Sequence, residues 1–122
     1  MVTKVEKRGA GFHLVSEANG HRSREEITIL DGQDLETGTV LGKVTASGKY
    51  VQIDLGASDG SEVAAGILWD GVFADGADAD AAAHVRDAEV LGAELVYPDG
   101  ASSGDIDTIN AALETNLNII VR

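Results

Sequence analysis

Residues 28–45 read TILDGQDLETGTVLGKVT, and the pattern of this segment indicates the fold class. The β-branched run that begins at Ile27 is stopped by the Asp31-Gly32 pair, and a second β-rich run follows at residues 39–44. Asp-Gly pairs favour tight turns, because glycine adopts positive φ without steric cost and aspartate accepts hydrogen bonds from nearby amides. This stretch therefore predicts two short strands joined by a turn and a polar connection.

The flanking sequence repeats this pattern. Residues 49–55 alternate between apolar and polar side chains, and residues 63–69 (VAAGILW) form the most apolar run in the chain. Turns are frequent as well, since Asp-Gly pairs begin at positions 31, 59, 70, 75 and 99. Short β-rich runs separated by such turns are typical of a compact all-β module, which is the fold class we predict.

One segment leaves helix and strand nearly balanced. Residues 77–87 are rich in alanine, which has the highest helix propensity, but they show no clean apolar stripe. We favour a strand after Ala83, with helix as the alternative for the segment as a whole.

A second segment predicts a helix near the C-terminus. Residues 102–105 (SSGD) offer capping oxygens, and helical spacing follows at Ile106, Ile109 and Leu113. We expect the helix to run through Glu114 and to end at Asn116, because asparagine tolerates the left-handed conformation of a C-cap. The remaining residues, 117–121, predict a final strand.

Charge divides the chain into two parts. The net charge is −12, yet residues 1–24 hold five basic side chains against two acidic ones, whereas residues 25–122 hold four basic against nineteen acidic ones. The first part is therefore +3 and the second −15. Because phosphate binding depends on lysine and arginine, this balance argues against nucleic acid as a direct partner. We expect a flexible N-terminal arm over residues 1–24 and a β-rich domain over residues 25–122.

The predicted arm has one apolar cluster. Phe12 and Leu14 alternate with Gly11 and His13, and Val15 follows, which is the period-two pattern of a short strand. A lone strand leaves its backbone groups unpaired, so this one needs a sheet edge to join. The candidate binding residues of the arm are Phe12, His13, Leu14, Val15, Arg22 and Arg24.

Sequence motifs for catalysis are absent. The chain has no cysteine, no Gly-x-Ser-x-Gly elbow and no phosphate-binding glycine loop, and its three histidines lack metal-ligand spacing. The acids Asp75, Asp78 and Asp80 do not match a calcium loop, which needs oxygens at positions one, three and five. We predict neither an enzyme nor a cofactor or metal, and we keep a metal-dependent hydrolase built on residues 70–80 as an alternative. No run is long enough to span a membrane, and residues 1–20 do not resemble a signal peptide.

The ordered pieces of the chain resemble a known family. Residues 28–45 resemble the lambda-type head decoration, or capsid cement, proteins of tailed bacteriophages. With the pieces that follow, the resemblance covers about residues 23–122. Further matching pieces follow in order at residues 47–50 (SGKY), 66–68 (GIL), 85–90 (VRDAEV), 112–114 (ALE) and 119–122 (IIVR).

This resemblance implies a β-clip-like domain of short strands with one short helix, assembled as a homotrimer. It implies binding to the major capsid protein on the outer surface of the expanded head, which the trimer stabilises against internal DNA pressure. The protein would be made in the host cytoplasm and located in the virion. The arm would be disordered when free and would order on the capsid, where residues 12–15 would add a strand to a capsid-protein edge.

Two further expectations concern surfaces. Apolar contacts should lie near the threefold axis of an acidic trimer, and the candidate interface residues are Ile67, Leu68, Trp69, Arg86 and Val90. A small ligand- or carbohydrate-binding β-module is the alternative function, suggested by Trp69 and Tyr50.

Overall fold

The computed structural model describes residues 9–20 and 22–122. Within them the elements are β1 (Leu14–Glu17), β2 (Arg24–Ile29), β3 (Asp34–Leu35), β4 (Val40–Lys43), β5 (Tyr50–Gln52), β6 (Ala64–Leu68), β7 (Val72–Phe73), β8 (Ala79–His84), β9 (Ala88–Val90), a 3-10 turn (Gly92–Glu94), α1 (Ser103–Leu117) and β10 (Ile119–Val121). The prediction of a small, mainly β domain with one helix near the C-terminus is confirmed. No helix in the described ranges is long and apolar enough to cross a membrane.

Five strands close into a barrel in the order β2-β5-β4-β6-β8. Residues 28–45 supply the end of β2, all of β4 and, between them, the short strand β3. Successive side chains of a strand point to opposite faces, and accordingly the fully buried Val40 and Leu41 of β4 enter two different cores. Ile67 and Leu68 of β6 divide in the same way. The barrel therefore has a packed layer on each side of these two strands.

A second layer covers one of these sides. It consists of the three-stranded sheet β1-β9-β10 and the helix α1, which packs against β6 and β10. The shared core contains Val40, Ile53, Ala64, Ile67, Ala88, Val90, Leu95, Ile109, Leu113 and Ile119. The other core contains Ile27, Ile29, Leu35, Leu41, Tyr50, Leu68, Ala74, Ala83 and Val85. Aliphatic side chains dominate both, as the aromatic-poor composition predicts.

The helix begins where the sequence predicts and ends later. Ser102 is the N-cap and forms a capping box with Asp105, in which each side chain accepts from the other residue's backbone amide. The C-cap is Asn118, in the left-handed conformation at φ 54°, so the prediction of Asn116 is wrong. The Asn118 side chain also donates to Asp87 at 3.0 Å, a long-range contact that the local pattern does not contain.

The ambiguous alanine-rich segment is a strand. β8 runs from Ala79 to His84, so it begins before Ala83, where the sequence favoured a strand. All six of its residues pair with β2, from Ala79 opposite Ile29 to His84 opposite Arg24. Tertiary pairing thus overrides the helix propensity of alanine.

The N-terminal segment differs from the expected arm. β1 pairs antiparallel with β9 of the same chain, with Leu14 opposite Val90, and β2 already begins at Arg24. Residues 9–20 and 22–24 therefore belong to the folded domain, whereas residues 1–8 and 21 lie outside the described part of the chain. The expected alternation also fails, because residues 10–13 form a turn that buries His13 and exposes Phe12.

Candidate functional site

The candidate site lies where residues 9–17 cross the end of the barrel. Gly11 donates its amide to the backbone oxygen of Trp69 at 2.9 Å. Gly11 has φ +69°, and a Cβ added there would stand 2.5 Å from the Trp69 indole. Only glycine provides both this backbone conformation and this close approach. Gly11 therefore anchors the segment on the indole.

Three aromatic rings pack beneath the segment. The fully buried His13 lies edge-on to His84, with ring centroids 5.6 Å apart, and edge-on to Trp69 at 6.5 Å. Trp69 and His84 are themselves 5.2 Å apart in the same type of contact. Edge-to-face arrangements place the positive edge of one ring on the negative face of another. His13 thus joins the turn before β1 to the ends of β6 and β8.

Glu17, the last residue of β1, forms the polar part of the site. Its Oε1 accepts from Arg24 Nη2 at 2.7 Å, and its Oε2 accepts from Arg24 Nε at 3.1 Å. The same Oε2 lies 2.6 Å from His84 Nε2. The Arg24 guanidinium carbon sits 3.7 Å from the centre of the Trp69 ring, so the cation stacks on the indole while it binds the carboxylate. We call Glu17, Arg24 and His84 the Glu17 clasp.

The clasp shifts the titration of two of its members. Burial raises the pKa of Glu17, but hydrogen bonds from Arg24 and His84 outweigh burial and hold that pKa below its ordinary value. Burial lowers the pKa of His84, against the opposing effect of Glu17. Burial therefore disfavours the charged form of His84, and a neutral ring that carries its proton on Nε2 can donate to the carboxylate in the 2.6 Å contact.

Exposed apolar side chains lie on and beside β1. β1 is an edge strand in the sheet order β1-β9-β10, and within the described ranges it pairs with β9 alone. Phe12 is 54% exposed and Val15 49%, and the 42% exposed Leu91 is adjacent, since its amide donates to the His13 carbonyl. A strand edge beside exposed apolar side chains can accept another strand.

The structure brings several of the predicted arm residues together. His13 and Arg24 meet at Trp69, and Leu14 packs against the core. Arg22 is exposed, and its Nε lies 3.5 Å from Asp87 Oδ2. Arg86 Nη1 donates to the Arg22 carbonyl at 2.6 Å, which places one predicted interface residue beside the predicted arm.

The predicted trimer-interface residues separate into two groups. Ile67, Leu68 and Val90 have no exposed surface and lie in the cores of the chain itself, so their side chains are not available to a neighbouring subunit. These residues belong to the apolar runs of β6 and β9, and other parts of the same chain bury both runs. Trp69 is partly exposed beneath Arg24, and Arg86 is exposed and pairs with Glu25 at 2.9 Å.

Sequence reasoning missed Glu17. Its partner His84 lies 67 residues away along the chain, and nothing in the local sequence links the two. The pairing of Glu17 with Arg24 leaves a closer signal in the sequence. The two residues are seven positions apart, at the end of β1 and the start of β2, and carry opposite charges.

The other candidate sites find no support in the geometry. No group of three or more histidine or acidic side chains in residues 9–20 and 22–122 could hold a metal ion. In the acidic loop, Asp78 is bound by Lys49 Nζ at 2.6 Å. Tyr50 is buried and Arg24 stacks on Trp69, so these two aromatic residues do not form an open stacking surface.

The comparison with known proteins agrees with the resemblance found in the sequence. A family model described as "Bacteriophage lambda head decoration protein D" matches residues 3–118, whereas no curated protein matches the chain. The family is a structural one and implies association with the phage capsid in the virion, and with it a role in capsid decoration. Because the match spans nearly the whole chain, the protein belongs to the family of bacteriophage lambda head decoration protein D.

Proposed function

We propose that the protein binds as a homotrimer to the major capsid protein on the outer surface of the expanded head and stabilises the head against internal DNA pressure. Family membership supports the capsid role. The structural observation that carries the docking mode is the edge of β1 away from β9, which no strand within residues 9–20 and 22–122 covers, beside the exposed Phe12 and Val15. In this proposal the protein is made in the host cytoplasm and incorporated at the surface of the head.

The docking step is strand addition. A capsid-protein segment pairs with the outer edge of β1, so that backbone amides and carbonyls exchange water for one another, and Phe12 and Val15 bury their apolar surface against it. Residues 12–15 are thus the same residues that the sequence nominates, but they are presented on the folded domain. Residues 9–24 form the capsid-binding segment in this proposal.

Charge supports the orientation of the docked protein. The first 24 residues carry a net charge of +3, and Arg22 stands exposed next to β1. Residues 25–122 carry −15 and repel the same surface on neighbouring copies, which favours their exposure to solvent. Trp69 and Arg86 are the predicted interface residues with surface left for a second subunit.

Two measurements test the proposal. Sedimentation velocity of the purified chain should give the mass of a trimer, and co-sedimentation should find the protein on expanded heads built from the major capsid protein of its phage. Val15→Lys places a charge on the β1 edge and should weaken binding roughly tenfold, equivalent to about 1.4 kcal/mol.

Val63→Lys is the matched control, because Val63 is 48% exposed and lies away from β1, just before β6. It should bind as the unchanged protein does. A monomer that ignores expanded heads would overturn the proposal, and equal binding by the two lysine variants would remove β1 from it.

A further inference from the structure

We propose that Glu17, Arg24 and His84 are positioning residues, which hold β1 on the barrel in the orientation that presents its outer edge to the capsid protein. This inference rests on the proposed docking at β1, and it adds the three side chains that keep the docking strand in position. The three side chains contact one another on the barrel, whereas the partner would pair with the backbone edge of β1.

The backbone attachment of β1 is limited. The strand has four residues, and its register with β9 shifts between Leu14 and Ser16, so the ladder is interrupted. An edge strand this short gains little from pairing alone. Backbone bonds from Gly11 to Trp69, from Leu91 to His13 and from Ala18 to Asp87 flank the ladder, and Glu17 adds side-chain contacts to β2 and to β8.

The geometry of the clasp fixes an orientation as well as a position. The carboxylate binds Nε and Nη2 of Arg24 with its two oxygens, and a planar two-point contact of this kind tolerates little rotation. The guanidinium is in turn held flat on Trp69, on which Gly11 also rests. Both ends of residues 11–17 are thus fixed on one indole.

Protonation should loosen the clasp. Within the part of the chain that the structure describes, the titratable and charged groups around His84 are Glu17 from β1, Arg24 from β2 and His13 from the turn before β1. A second proton on His84 would go to Nδ1, which is buried and makes no hydrogen bond to the described residues. Burial, the largest effect, and repulsion by Arg24 both oppose the new charge and outweigh the attraction of Glu17, because the charged Nδ1–H has no acceptor among the described residues. Lowering the pH should therefore weaken this contact while the apolar cores stay packed.

The test uses the full chain with two readouts, amide hydrogen exchange of β1 and co-sedimentation on expanded heads. Glu17→Gln keeps the shape but removes the charge that binds Arg24 and His84. It should raise exchange at β1 roughly tenfold or more while exchange in β4 and β6 changes little, and it should weaken head binding by a similar factor. Arg24→Lys, which loses the two-point contact, should act in the same direction.

Asp78→Asn is the matched control, since it removes one negative charge from an ion pair, with Lys49, on another part of the barrel. It should change neither readout. The unchanged protein should lose head binding between pH 7 and pH 5 in parallel with a loss of β1 protection, measured as exchange relative to the intrinsic rate at each pH, whereas His84→Gln, which does not titrate, should show a flatter pH profile.

The outcomes separate the two proposals. If the unchanged protein does not bind heads at pH 7, the proposed function fails whatever the variants do. If it binds and Glu17→Gln binds equally well, the clasp does not position the docking strand. Faster β1 exchange with undiminished binding would overturn the inference in the same way, and a global rise in exchange in both variants would make the clasp a general stability contact instead.

Discussion

Glu17 Oε2 lies 2.6 Å from His84 Nε2, in a contact that joins the end of β1 to the end of β8 across 67 residues of chain. His84 is fully buried, and the Glu17 side chain is 18% exposed. Hydrogen bonds to charged groups in such surroundings are stronger than those between neutral partners. This contact therefore makes the position of an edge strand dependent on two ionisable side chains.

The contact gives a pH dependence with a defined sign. The pKa of His84 is lowered in the folded protein, because burial disfavours its charged form, so the unfolded chain binds the proton more readily. The free energy of unfolding should then decrease as the pH falls below about 6.5, the ordinary value of an imidazole. The lowered pKa of Glu17 adds a further loss at more acidic pH.

Urea unfolding at pH 7.5, 6.5, 5.5 and 4.5 measures this dependence. His84→Gln provides the control, since an amide can still donate to Glu17 but does not titrate. The variant should be less stable at pH 7.5 and should approach the unchanged protein as the pH falls. Parallel curves for the two proteins would show that His84 does not contribute to the acid sensitivity.

Gly11 is predicted to be the most sensitive glycine of the N-terminal segment. Gly11→Ala puts a residue with Cβ into the left-handed region and drives that carbon into the Trp69 ring, so we expect a loss of about 3 kcal/mol. Gly20→Ala meets the same backbone conformation, φ +71°, with nothing within 4 Å, and should cost about 1 kcal/mol. Thermal unfolding compares them, and equal losses would contradict the contact with Trp69.

Much of the barrel could be predicted from the sequence, because its signals are local. Runs of β-branched residues and Asp-Gly turns mark β2, β4 and β6, and the capping oxygens mark the start of α1. Each depends on residues a few positions apart, where propensity and periodicity are informative. The same locality explains two errors. β8 is a strand because it pairs with β2, and Asn118, whose backbone amide caps α1, is also held by a side-chain bond to the distant Asp87.

The candidate site could be predicted only in part, for the same reason. The alternation at residues 12–15 predicts a short strand, whereas the strand spans Leu14–Glu17 and is fixed by polar and aromatic contacts between distant residues. Such contacts leave no periodic pattern, so the charged and glycine-containing segment resembled a mobile arm. The interface candidates Ile67 and Leu68 failed differently, since an apolar run shows that a strand is buried but not whether its own chain or another subunit buries it.

The capping box should stabilise the helix by a measurable amount. Ser102→Ala removes the side-chain oxygen that accepts from the Asp105 amide, and it should lower the free energy of unfolding by about 1 kcal/mol. Ser103→Ala is the neighbouring control, because Ser103 is exposed in the first turn and takes no part in the box. Urea midpoints of the two variants should differ, and the reverse order would argue against Ser102 as the cap.

Two acidic residues provide a last comparison, which tests whether β8 is a strand. Asp80 is exposed on β8 opposite Thr28, and Asp107 is exposed in the first half of α1. Changing either to threonine removes one negative charge, so any general relief of repulsion is the same in both variants. Threonine suits a strand better than aspartate, and Asp80→Thr should raise the free energy of unfolding by up to about 1 kcal/mol. Asp107→Thr instead loses an acid near a helix N-terminus and gains a β-branched residue within a helix, and it should lower the free energy by about 0.5 kcal/mol. Opposite signs in urea unfolding would follow from the structure, whereas a loss at both positions would favour a helix at residues 77–87.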